Sequence, residues 1–95
     1  MVENFDLEDF NMIDMRAKKV LVALSAFDRG ELVKGELIHK KTSLTPETIN
    51  EAIRSLEKSL LVNNPTITEK LPPYDFYAVE ISDFGRQVLE KYGQQ

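Results

Sequence analysis

The sequence predicts an α+β domain, mostly α, with a three-helix core, a two- to three-stranded β-hairpin and a C-terminal helix. Three observations lead there. Apolar residues recur at helical spacing in three segments before residue 62. Period-two alternation then takes over between residues 66 and 81. A capped helix follows from Ser82.

Ninety-five residues suit one domain with a modest core, and 42% apolar and 29% charged residues are ordinary for a globular chain. The absence of Cys excludes disulfides and thiolate metal sites. The longest apolar run, residues 20–24, is too short to span a bilayer. No basic and apolar leader opens the sequence, so the expected compartment is the cytoplasm, with no membrane partner.

The net charge of −4 is unevenly spread. Five carboxylates and no Lys or Arg fall in the first fifteen residues, leaving twelve cations against eleven carboxylates in the rest. The chain therefore divides into an acidic N-terminal arm, residues 1–12, and a nearly neutral domain, residues 13–95. The arm also carries Phe5, Leu7, Phe10 and Met12, an apolar set suited to packing on the body or on a second subunit.

The first core helix is expected over residues 14–27, capped by Asp14, with Ala17, Val20, Leu21, Leu24 and Phe27 inward. Arg29-Gly30 should end it through a left-handed exit. Residues 31–34 read as a short extended piece, and residues 36–41 as a short helix with Leu37 and Ile38 inward. Thr45-Pro46 is an N-cap followed by proline at the first helical position, where a missing N–H costs nothing. The helix it starts, about 46–60, buries Ile49, Ala52, Ile53, Leu56 and Leu60, while Leu44 plugs the preceding turn. Residues 66–71 and 76–81 read as hairpin strands around a 72–75 tip, with Tyr77, Val79 and Ile81 on one side. The last helix carries Phe84, Val88, Leu89 and Tyr92 and ends at Gly93.

Two stretches of this series resemble the winged helix-turn-helix family of small transcriptional regulators. Residues 35–49, GELIHKKTSLTPETI, look like its second helix, turn and start of recognition helix. Residues 77–86, YAVEISDFGR, look like the end of its wing strand running into a Thr/Ser-x-x-Gly cap. The resemblance covers about four-fifths of the chain. Where the family often has Lys-Gly-Leu-Ile after the recognition helix, this sequence has Ser59-Leu60-Leu61-Val62, so that exit is expected to be extended or differently turned.

The resemblance implies sequence-specific binding of double-stranded DNA, with the helix at 46–60 in the major groove. By position, its outer face would present Thr48, Asn50, Glu51, Arg54, Ser55 and Lys58. Arg54 suits guanine, Asn50 adenine, Glu51 the cytosine amine, and Thr48 a phosphate or thymine methyl. Lys34, His39, Lys40 and Lys41 would meet phosphates beside the turn, and Lys70 is the one cation of the wing. Arg16, Lys18 and Lys19 supply further positive charge at the start of the first core helix. So few wing cations imply modest affinity for one copy, hence a homodimer on two half-sites. Its seam would use the first core helix, the last helix or the arm.

The same residues admit a second reading. Glu47, Glu51 and Glu57 make this helix acidic, which suits a winged-helix module that binds protein with little DNA binding. The acidic arm would then be a docking segment for a protein partner, or a cover for the basic face. Nothing supports catalysis or a cofactor. His39 is the one His, with no Cys to complete a metal site, and no nucleophile–base spacing or phosphate loop occurs.

Overall fold

A computed structural model describes residues 5–93. About half the chain is helical, in an α+β fold. The order is α1 (Leu7–Asn11), α2 (Met15–Ser25), α3 (Gly35–Thr42), α4 (Pro46–Lys58), β1 (Val62–Asn63), β2 (Glu80–Ile81) and α5 (Asp83–Tyr92). The two strands pair antiparallel, Val62 with Ile81 and Asn63 with Glu80. Val33 adds an isolated antiparallel bridge to Val79, through N–H···O bonds of 2.7 and 2.9 Å.

Apolar spacing places the core. Val20, Leu21 and Leu24 of α2 meet Ile38 of α3 and Ile49, Ile53 and Leu56 of α4, all essentially without exposure. Val33, Leu61, Phe76 and Val79 close the core from the sheet side. Each such side chain contributes about 1.5–3 kcal/mol through removal from water. Caps hold the helix starts: Asp14 accepts the Arg16 N–H at 2.9 Å, Thr45 the Thr48 N–H at 3.2 Å, and Ser82 the Gly85 N–H at 2.9 Å.

Residues 1–4 of the acidic arm, including Glu3, lie outside the described residues. Of the arm's apolar set, Phe5 and Phe10 pack on the body, whereas Leu7 and Met12 are exposed. Asp6 and Asp9 form a capping box that starts α1. Phe5 meets the Phe84 ring edge-on at 5.5 Å, and Phe10 lies 5.7 Å from the Tyr92 ring.

Several expectations need correction. Helix α2 stops at Ser25, capped by Ala26, so Gly30 takes its positive φ of 84° in the turn beyond and not at the helix exit. The α2 carbonyl end is covered by Arg86, whose Nη2 donates to the Phe27 carbonyl at 2.8 Å and whose Nη1 donates more weakly to that of Ser25 at 3.4 Å. Leu37 is exposed, whereas its neighbour Ile38 is inward.

The exit of α4 reverses another expectation. Leu60 takes the left-handed conformation, φ 63°, that a glycine would otherwise take. Its N–H bonds the Glu57 carbonyl at 3.0 Å and that of Leu61 bonds the Leu56 carbonyl at 2.9 Å, closing a Schellman turn. Leu60 itself faces outward, at 54% exposure, and so leaves the apolar face of α4.

The strand expected at 66–71 is absent. Residues 65–68 form a turn closed by Glu69 N–H on the Thr66 carbonyl, 2.9 Å. The alternation there has no partner to pack on, leaving Ile67 73% exposed. Pro72 and Pro73 bring no N–H to a ladder, so only Leu71 N–H to the Phe76 carbonyl, 3.1 Å, links the two expected arms. Instead β2 pairs with residues 62–63, directly after the exit of α4. Val79 and Ile81 do face inward, but Phe76 is buried more deeply than Tyr77.

Candidate nucleic-acid interface

Helices α3 and α4 are joined by residues 43–45. Ser43 ends α3 in the left-handed conformation, φ 63°, and its N–H returns to the His39 carbonyl at 2.7 Å. Thr42 Oγ1 donates to the Ile38 carbonyl at 2.8 Å and accepts the Leu44 N–H at 3.2 Å. His39 Nδ1 donates to the Leu44 carbonyl at 2.7 Å, since a carbonyl oxygen can only accept. Leu44 packs against the core from this turn, as its position in the sequence suggested. The angle between α3 and α4 is thus held by backbone, hydroxyl and imidazole bonds together.

The amphipathic pattern of α4 turns Ile49, Ala52, Ile53 and Leu56 inward. Glu47, Glu51, Arg54, Ser55 and Lys58 are exposed, and Thr48 is half-buried. Thr48 Oγ1 accepts the Thr45 hydroxyl at 3.0 Å, so its own proton is free.

Asn50 does not belong to this outer face. It is 8% exposed, and its amide is used at both ends: Nδ2 donates to the Pro73 carbonyl at 3.1 Å, and Oδ1 accepts the Asp75 N–H at 2.9 Å. Those bonds hold it away from any base edge. One turn on, Arg54 Nη1 donates to Asp75 Oδ2 at 2.8 Å. The segment 72–76 therefore lies against α4 and is not a free tip. Its Tyr74 ring sits on Gly35, where a Cβ would overlap the ring. Burial, and secondarily the charge of Glu36, pushes the Tyr74 phenol above its ordinary value.

The basic residues are spread over several parts of the surface. Arg16 lines a groove of about 260 Å³ between α2 and α4 with Thr48, Glu51 and Ser55. Lys18, Lys19 and Lys41 line a different groove, between α2 and α3, floored by Met15, Val22, Ala23 and Ala26. Lys41 Nζ stands 5.3 Å from the Phe27 ring and Lys34 Nζ 5.2 Å from that of Tyr77. Lys40 is exposed in the last turn of α3. Lys58 shares a pocket with Asp9 and Phe5 of the arm, and Lys70 is exposed on the 64–78 segment.

Among the described residues each ion pair uses an arginine: Arg16–Asp14, Arg29–Asp83 and Arg54–Asp75. Two backbone and side-chain bonds from Arg16 hold the Asp14 carboxyl below its usual range.

Sequence reasoning missed Asp75 and the inward role of Asn50, because their contact spans 25 residues. The one available signal was Tyr74 and Phe76 flanking Asp75, two aromatics in a nominal loop tip. Among the described residues no group of three or more His, Cys, Asp or Glu could hold a metal ion, and no helix is long and apolar enough to cross a membrane. No family model, curated protein or solved structure matches this chain.

Proposed function

We propose that this chain is a small winged helix-turn-helix module that binds double-stranded DNA as a transcriptional regulator. The observation that carries the reading is the α3–turn–α4 pair. Its turn is fixed by the Thr42, Ser43 and His39 bonds, and α4 exposes Glu47, Glu51, Arg54, Ser55 and Lys58. Such a helix fits a major groove with its N-terminal half leading. Arg54, Glu51, Ser55 and Thr48 are the base-reading set, and Asn50 becomes a structural anchor of the wing segment 64–78. Lys34, His39, Lys40, Lys41, Lys58 and Lys70 are the phosphate contacts. With so few cations near α4, two copies on two half-sites supply the affinity.

The test is selection of bound sequences from random duplex DNA at two salt concentrations. A repeated half-site and a steep salt dependence are expected. Arg54→Ala then removes the preference at one base pair, a loss of about 1–3 kcal/mol, while Lys41→Ala weakens all sequences alike and lowers the salt slope by about one. Absence of binding at low salt overturns the reading.

One observation favours a protein-binding module instead. The guanidinium of Arg54 is already paired with Asp75, so Glu47 and Glu51 leave the outer face of α4 net acidic. Under that reading α4 retains its shape for a basic protein surface. A purified chain that ignores DNA but captures a cationic partner, in a manner abolished by Glu47→Lys with Glu51→Lys, would establish it.

A further inference from the structure

The segment 72–76 touches α4 at two positions one turn apart, Asn50 and Arg54. The Asn50 amide fixes the Pro73 carbonyl and the Asp75 N–H. Tyr74, between them, is seated on Gly35 of α3. Two helices therefore hold the Asp75 backbone before its side chain makes any contact. The carboxylate then meets Arg54 end-on, through Nη1 alone, at 2.8 Å. Among the described residues Nε and Nη2 of Arg54 have no hydrogen-bond partner. Both side chains of the pair are more than half exposed, at 60% and 54%, so a ligand in front of α4 can reach them.

We infer that Asp75 is a specificity-determining positioning residue: it holds Arg54 by one nitrogen and reserves the rest of the guanidinium for a guanine edge. The inference rests on the DNA reading of α4. An untethered arginine pairs with any phosphate in reach, which adds affinity without sequence information. A tethered one has less rotamer freedom to lose, and a planar fork suits a bidentate partner. The Asp75 charge also opposes a phosphate approaching the same spot. The arrangement thus lowers affinity for arbitrary DNA and raises discrimination at one base pair. Asn50 supports it from behind through the Asp75 backbone, which explains why an amide on a DNA-facing helix is turned inward.

The experiment uses the full chain, with Asp75→Asn, which preserves side-chain shape and leaves the Asn50 bonds to the backbone intact. Three duplexes are titrated: the selected site, that site with the Arg54-dependent base pair replaced, and a random duplex. The expected result is tighter binding of the random duplex with at least about a fivefold fall in discrimination at that one pair. In an Arg54→Lys background Asp75→Asn should change discrimination no further. Asp75→Glu should recover part of it. Equal tightening on all three duplexes means Asp75 only masks charge, and overturns the inference. Unchanged affinities on all three mean a purely structural contact, and also overturn it. In both cases the unmodified chain still selects DNA, so the reading of α4 survives. If the unmodified chain binds no duplex, that reading fails and the inference with it. Thermal melts of each variant report whether the fold is kept.

Discussion

Helix α4 is held by different means at its exit and along its outer side. At the exit, Leu61 is fully buried, its carbonyl accepts the Ser82 N–H at 3.0 Å, and Ser82 Oγ donates to the Leu60 carbonyl at 2.8 Å. Gly85 comes so close to Leu61 that a Cβ would overlap its carbonyl oxygen. On the outer side, the 72–76 segment is held by an amide, an exposed ion pair and the buried rings of Tyr74 and Phe76. The exit is a backbone junction that leaves no room for a side chain at position 85. On the outer side only the Arg54–Asp75 pair is exposed, and it can change while Tyr74 and Phe76 stay buried. Substitutions at 61, 82 and 85 should therefore cost more stability than substitutions of the exposed Arg54–Asp75 pair.

The strongest challenge to that contrast is Gly85→Val. Overpacking against the Leu61 backbone and Ile81 should cost about 3 kcal/mol, read as a lower urea midpoint with unchanged slope. Asn50→Ala comes next. It removes the partner of the Pro73 carbonyl and of the Asp75 N–H, both on exposed residues, and should cost about 1 kcal/mol while speeding proteolysis within 64–78. Losses as large as those of Gly85→Val would erase the distinction between the two regions. Leu60→Gly should stabilise by up to about 1 kcal/mol, since glycine relieves the left-handed backbone but loses more freedom on folding. A clear destabilisation would mean that the half-exposed Leu60 side chain packs better than its backbone suffers.

The smallest effect concerns pH. The folded state keeps Tyr74 protonated above the pKa that it has when unfolded, so its contribution is fully present below about pH 10. It is lost as pH rises through the higher folded value. Melting temperatures should therefore fall more between pH 9 and 11 in the unmodified chain than in Tyr74→Phe. Equal falls would separate the phenol from the stability of the outer segment.

These contrasts also explain what was legible in the sequence. Thr45-Pro46, Asp14 and Ser82 act within three residues, so their caps could be read directly. The inward stripe of α4 follows from spacing alone, and so does most of the core. Asn50 and Arg54 looked like any polar residues opposite an apolar stripe, because what distinguishes them lies 21–25 residues away. The 66–71 strand failed because alternation specifies a face only when something covers it, and nothing covers Ile67. Leu60 concealed a left-handed turn because the bonds from Leu60 and Leu61, with Leu61 packed in the core, outweigh the local preference of leucine.

The docking of α1 on α5 has a consequence for biosynthesis. Phe5 and Phe10 leave the ribosome before their partners Phe84 and Tyr92, which belong to the last helix described. The arm must wait, with its aromatics unsheltered, until nearly the whole domain has been translated. Its five-residue helix cannot persist alone in that interval. The carboxylates of Asp6, Glu8 and Asp9, spaced among those aromatics, keep the waiting segment hydrated and discourage nascent chains from sticking to one another.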